Sequence, residues 1–110
     1  MFDEIITYLN SVDSSSGKYS ASQIDVTHLV EKHIKMGDSL EKAREVLQKN
    51  GFSFTESEVK TDMRVAYRIH ATRRIEGSWW YVRTIAIFIG KSSHSKNVDA
   101  VFAKINLKTL

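Results

Sequence analysis

Arginines and large aromatic residues are concentrated in one stretch of the chain, from residue 67 to residue 83. An aromatic ring buries a large area at a small entropic cost, and a guanidinium group pairs with carboxylate or phosphate through two parallel hydrogen bonds. This combination predicts recognition of a partner. The candidate partner-binding residues are Arg68, His70, Arg74, Trp79, Tyr81 and Arg83. The alternative is an ordinary water-facing side of a sheet, where such residues are common.

A predicted β-hairpin would bring these six side chains together. Glu76 and Gly77 lie between two strand-like segments, and the glycine favours a tight two-residue turn at this position. Residues whose numbers sum to 153 then face each other, and the six candidates share one face. The opposite face, beneath the helices, would carry Val65, Tyr67, Ile69, Ala71, Val82, Thr84, Ala86 and Phe88. A bulge near Arg73-Arg74 would change this assignment.

No pattern for catalysis or metal binding is found. His28 and His33 are five residues apart, about 140° around a helix, so they cannot share one metal ion. The absence of cysteine excludes disulfides, thiolate nucleophiles and cysteine zinc sites. The serines around His94 lie in a loop segment with no third group to orient a base. We therefore expect no catalytic residue, no metal and no cofactor, and a chain that is not an enzyme.

Size and composition indicate one globular domain over residues 1–110. Apolar residues make up 42% and charged residues 26%, which is far from the composition of disordered chains. The longest strongly apolar run, Ile85 to Ile89, is too short to cross a bilayer. Asp3 and Glu4 stand where a signal peptide needs basic residues. We expect no membrane association and a cytoplasmic location.

Local patterns predict helices first and strands afterwards. Apolar spacing favours helices over Phe2–Leu9 and Ile24–Ile34, separated by a serine-rich loop over Asp13–Ser22. A third helix is predicted from a cap at Asp38 to a stop at Asn50–Gly51. Alternating segments then predict four strands: Phe52–Val59, Met63–Ile75, Ser78–Gly90 and Val98–Leu107. The expected fold is α+β, with the N-terminal helices packed on one face of an antiparallel sheet of about four strands.

The segment from His28 to Phe54, HLVEKHIKMGDSLEKAREVLQKNGFSF, shows a helix ending at glycine, a capped helix and a glycine-aromatic step. With the strands that follow, it resembles the helix-hairpin-plus-sheet unit of the beta-lactamase inhibitory protein and of small outer-membrane lipoproteins. The resemblance implies a protein-binding module that uses an exposed, aromatic-rich sheet face. The chain differs from these families in having no cysteine and in the expected absence of a signal peptide.

These patterns favour a binding module, most concretely a cytosolic immunity or inhibitor protein that binds and neutralises a toxin or an enzyme. The first alternative is a small nucleic-acid-binding domain that uses the same basic and aromatic face, for which the net charge of +3 gives modest support. The second alternative is a self-associating subunit, such as a homodimer, in which the last strand pairs edge to edge with a second copy.

Overall fold

The computed structural model describes residues 1–17, 22–61, 64–92 and 95–110. In this part of the chain, three helices pack on one face of an antiparallel sheet of five strands, so the α+β prediction is confirmed. The elements in chain order are α1 (Phe2–Ser16), β1 (Gln23–Asp25), α2 (Thr27–Val30), α3 (Leu40–Lys49), β2 (Ser53–Thr61), β3 (Arg64–Gly77), β4 (Tyr81–Lys91) and β5 (Ala100–Thr109). The strand order across the sheet is β1-β5-β4-β3-β2.

Helix α1 begins where predicted but continues six residues beyond Asn10, to Ser16. Ile5 and Leu9 are buried against the sheet, as their helical spacing requires. The serine-rich second half has no apolar period, but Asp13 is held by an ion pair with the sheet. The predicted loop over Asp13–Ser22 is therefore wrong for its first four residues, while residues 18–21 lie outside the described part.

The predicted helix over Ile24–Ile34 is replaced by strand β1 and the single-turn helix α2. Ile24 pairs with Ile105 of β5 in the sheet. The hydroxyl of Thr27 donates to the carbonyl of Ala103 and accepts from its N–H group, at 3.2 and 2.9 Å. Pairing with the distant strand β5 overrides the local helical spacing. This pairing cannot be inferred from the local sequence of residues 24–34 alone.

Helix α3 starts one residue later than predicted. Ser39, rather than Asp38, is the N-cap, and its hydroxyl accepts a 3.1 Å hydrogen bond from the N–H of Lys42. The predicted stop is confirmed, because Gly51 has a φ of 75° and the buried Phe52 donates its N–H to the carbonyl of Leu47.

One hydrophobic core lies between the helices and the inner face of the sheet, where side chains of the three long strands β3, β4 and β5 meet the helices. Its buried sheet residues are Ile69, Ala71, Ile85, Ile87, Ile89, Val101, Ala103 and Ile105. Each strand contributes every second residue, as expected for a sheet covered on one side. The side chains of the opposite face, called here the open face, have no helix packed over them in the described part.

The edge of β5 is occupied over its middle section. Backbone hydrogen bonds join Ala103 to Val26 and Leu107 to Ser22, and β1 pairs with the residues between them. An edge-to-edge dimer through this part of the last strand would first have to displace β1. No helix in the described part of the chain has the length and apolar character needed to cross a membrane.

Candidate functional site

The β3-β4 hairpin turns three residues later than predicted. Glu76 and Gly77 belong to β3, and the turn is centred on Trp79 and Trp80 between a Ser78 N–H and a Tyr81 carbonyl 2.9 Å apart. The predicted two-residue turn is therefore wrong. Gly77 does not have a positive φ. Its lack of a side chain instead leaves room for the guanidinium of Arg74, which lies where a Cβ atom would be.

The turn position and a bulge together change which residues face each other. The register shifts at a bulge between Arg74 and Glu76. His70 pairs with Phe88, so the paired numbers sum to 158 before the bulge rather than the expected 153. The described side chains of β3 lie on the faces of the sheet that were predicted for them. The side chains of β4 lie on the faces opposite to those predicted. The side chain of Val65 lies outside the described part.

Four of the six predicted partner-binding residues are exposed. Arg68, His70 and Arg74 lie on the open face along β3, as predicted. Trp79 is 88% exposed, but it occupies the hairpin turn and not a strand. At about 3.3 Å per residue, it lies roughly 30 Å along the hairpin from Arg68, so these residues form no single compact site.

The other two predicted residues, Tyr81 and Arg83, are buried on the inner face, so their placement on an exposed surface was wrong. Arg83 is 1% exposed. Its guanidinium donates hydrogen bonds of 2.8 and 3.0 Å to the carboxylate of Asp13 on α1 and one of 3.3 Å to Glu76. A buried charge is tolerated when it is paired in this way. Arg83 therefore fixes α1 to the sheet and is not available to a partner.

Three aromatic rings form a cluster at the centre of the open face. The His70 and Phe88 rings stack with centroids 4.6 Å apart and planes 11° apart, and Phe88 lies 6.1 Å from Phe102. Phe88 and Phe102 pair across β4 and β5, and they remain 40% and 45% exposed. These three residues, His70, Phe88 and Phe102, are called here the aromatic cluster.

Phe88 was predicted to lie beneath the helices, and Phe102 was not identified as a site residue. The signal that places them correctly is present in β4 itself. Ile85, Ile87 and Ile89 recur at every second position and mark the inner face, which puts Phe88 on the other side. A bulge between Arg74 and Glu76 inverts the faces of β4 relative to a regular hairpin, which is why the predicted pairing placed Phe88 on the inner face.

A groove of about 390 Å³ lies beside the aromatic cluster. Its floor is Gly90, which has no side chain to fill the space. Phe88 and Phe102 close one end, and Arg68 and Ala100 line it from the neighbouring strands. The volume falls in the range of about 300–1,000 Å³ typical of ligand pockets, although the groove is open to solvent on one side.

Charge on the open face is predominantly positive. Basic side chains lie on both sides of the aromatic cluster along β3 and β5. Arg68 is on one side, and Lys104, Arg74 and Lys108 follow on the side of the hairpin turn. Within the described strands, Asp25 is the one acidic residue on this face, and it pairs in register with Lys104. A hydrogen bond from the Thr27 N–H holds the pKa of the Asp25 carboxyl below its usual value.

The face beneath the helices has one larger cleft, of about 660 Å³, between α1 and β3. Phe2, Ile6 and Ile75 are among its apolar walls, and Asp13 and Glu76 lie at its polar end. Both carboxylates are already hydrogen-bonded to Arg83. The polar end of this cleft is thus part of the contact that holds α1 in place.

The histidines outside the open face have separate surroundings. His33 Nε2 lies 2.6 Å from a carboxylate oxygen of Glu4, and the ring of His28 packs edge-on against Tyr8 at 5.1 Å. His94 lies outside the described residues. Among the residues that are described, no three side chains of the metal-ligating types come together.

Comparison of the chain with protein-family models, with curated proteins and with solved structures gives no match. The resemblance to the beta-lactamase inhibitory protein and to small lipoproteins thus stays a prediction.

Proposed function

We propose that this chain is a non-enzymatic protein-binding module whose open sheet face binds an acidic surface of a partner protein. The most concrete form of the proposal is a cytoplasmic immunity or inhibitor protein that neutralises a toxin or an enzyme. The structural observation that carries it is the exposed aromatic cluster of His70, Phe88 and Phe102, with Arg68 on one side of it along the strands and Lys104 on the other.

Protein interfaces concentrate their binding energy in a few aromatic and arginine side chains near the centre of the contact. The aromatic cluster has this composition and position, with Arg68 and Lys104 beside it. Charged groups around such a centre steer a partner of opposite charge and set specificity. A positively charged rim therefore selects an acidic partner.

Nucleic acid is the second candidate, because exposed phenylalanines on adjacent strands also suit base stacking. Two features favour protein. The imidazole of His70 already stacks on Phe88, which leaves less ring face for a base. The net charge of +3 is also small for phosphate binding.

Affinity capture tests the proposal. The bait proteins are the wild type, a Phe88→Ser/Phe102→Ser variant that removes the exposed rings, and Met36→Ser. Met36 is a matched control because it is 65% exposed but lies in the connection between α2 and α3, away from the open face. Each bound fraction is divided for protein and nucleic-acid analysis.

We expect one stoichiometric protein with the wild type and Met36→Ser, and its loss with the double variant. Nucleic acid lost in the same pattern would favour the second candidate. Equal capture by all three baits would contradict a role for the open face.

A further inference from the structure

We propose that the groove over Gly90 is a pocket for one large apolar side chain of the partner, and that Arg68 pairs with an acidic residue close to that side chain. This inference rests on the proposed function and specifies the chemistry that the partner presents: an exposed aromatic or aliphatic residue flanked by aspartate or glutamate.

The shape of the groove fits one inserted side chain. Gly90 forms a floor between two side chains of adjacent strands, Arg68 on β3 and Ala100 on β5, which are its direct partners in the sheet. The rings of Phe88 and Phe102 form the end wall. An apolar side chain placed here would contact ring surface that is otherwise left in water, and removal of that surface from water drives association.

The charge of the groove determines what must accompany the apolar side chain. Arg68 is exposed at the groove, about one strand spacing from Gly90. No ion pair joins Arg68 to another residue of the described part, and Asp25, the acidic residue of this face, lies three strands away on β1. A guanidinium in this position favours a carboxylate, which it can bind with two parallel hydrogen bonds.

Gly90 allows the groove to be filled without disturbing the sheet. Its φ is in the ordinary range, so the backbone does not require glycine. A Cβ atom at this position would meet one neighbour, the Cβ of Ala100, at the normal contact distance of 3.4 Å. Valine is a favourable strand residue, so Gly90→Val should fold normally while its methyl groups occupy the groove.

The test is selection of random 12-residue peptides displayed on phage against the wild type, Gly90→Val and Arg68→Gln. Peptides enriched by the wild type should carry Phe, Trp or Leu within two positions of Asp or Glu, and Gly90→Val should bind them at least tenfold more weakly. Arg68→Gln should retain the apolar preference and lose the acidic one. Failure to enrich this motif, or equal binding by Gly90→Val, would overturn the inference.

Affinity capture with Gly90→Val separates this inference from the proposed function. If the partner is lost with Phe88→Ser/Phe102→Ser but is bound normally by Gly90→Val, the groove is not the pocket and the open face remains the binding surface. If neither variant loses the partner, the proposed function itself fails.

Discussion

The guanidinium of Arg83 on β4 and the carboxylate of Asp13 on α1 form a bidentate ion pair, with hydrogen bonds of 2.8 and 3.0 Å between residues 70 positions apart in the chain. Glu76 on β3 accepts a third hydrogen bond from the same guanidinium. Because Arg83 is buried, its charge depends on these partners and they depend on it. This pair also explains why α1 continues through its polar second half.

We predict that Arg83→Ala lowers the free energy of unfolding by about 3–5 kcal/mol, the usual cost of removing one partner from a buried ion pair. The substitution removes the guanidinium that Asp13 and Glu76 both contact and opens a cavity beneath α1. Urea denaturation followed by circular dichroism measures the change. Arg68→Ala is the control, and it should change stability by no more than about 0.5 kcal/mol because Arg68 is exposed. Equal stability of the two variants would show that the Arg83 pair is not structural.

The fold class could be predicted from sequence because its main signals are local. The stop of α3 follows from Gly51 and Phe52, and the alternation in β4 follows from the isoleucines at positions 85, 87 and 89. Strand β1 could not be predicted, since it has three residues and exists through pairing with β5. Its formation also removes the first part of the helix expected over Ile24–Ile34.

The candidate site was predicted only on β3. Arg68, His70 and Arg74 were placed correctly because a bulge after Arg74 does not affect the residues before it. The turn itself was misplaced, because Gly77 accommodates the Arg74 guanidinium within a strand and cannot be distinguished by sequence from a glycine in a turn. A turn displaced by three residues changes the paired sum by six and leaves the faces of β4 as predicted. The bulge between Arg74 and Glu76 shifts the register by one residue, and this shift moves Phe88 and Arg83 to the sides opposite to those predicted.

Two glycines with positive φ should respond differently to alanine. Gly51 and Gly37 have φ values of 75° and 93°, so either substitution forces a strained backbone that costs about 1–2 kcal/mol. At Gly51 the new Cβ would also lie 3.1 Å from the Arg73 guanidinium, whereas at Gly37 it meets nothing within 4 Å. We expect Gly51→Ala to be the more destabilising variant in urea denaturation. A larger loss of stability for Gly37→Ala than for Gly51→Ala would contradict the expected effect of the contact with Arg73.

Acid should weaken the contact between α3 and the sheet. Arg44 on α3 donates hydrogen bonds to Glu56 on β2, which holds the pKa of the Glu56 carboxyl below its usual value, and the Tyr67 hydroxyl lowers this pKa further. A pKa that is lower in the folded state stabilises the fold at pH values above the unfolded-state pKa of about 4.3. This stabilisation is lost as the pH falls through the folded-state pKa.

The measurement is the free energy of unfolding of wild type and Glu56→Gln between pH 6 and pH 2.5. At pH 6 the wild type should be more stable than Glu56→Gln by no more than about 1 kcal/mol, because the Arg44–Glu56 pair is partly exposed. The difference in the free energy of unfolding should vanish toward pH 2.5. Arg44→Ala is the second variant and should remove the same pH-dependent difference. If the stability difference between wild type and Glu56→Gln grew as the pH fell, it would contradict a lowered pKa of Glu56 in the folded protein.

The floor of the groove should be replaceable at no cost to the fold. A glycine within a strand costs roughly 0.5–1 kcal/mol relative to alanine, because it loses more conformational freedom on folding. Gly90 has no positive φ and only the Ala100 methyl within reach of a new Cβ, so Gly90→Ala should raise the free energy of unfolding by about this amount. Urea denaturation tests the prediction, with Gly37→Ala expected to change stability in the opposite direction. A destabilised Gly90→Ala protein would mean that glycine is required by the sheet, and groove-filling variants could then not be used as neutral probes of binding.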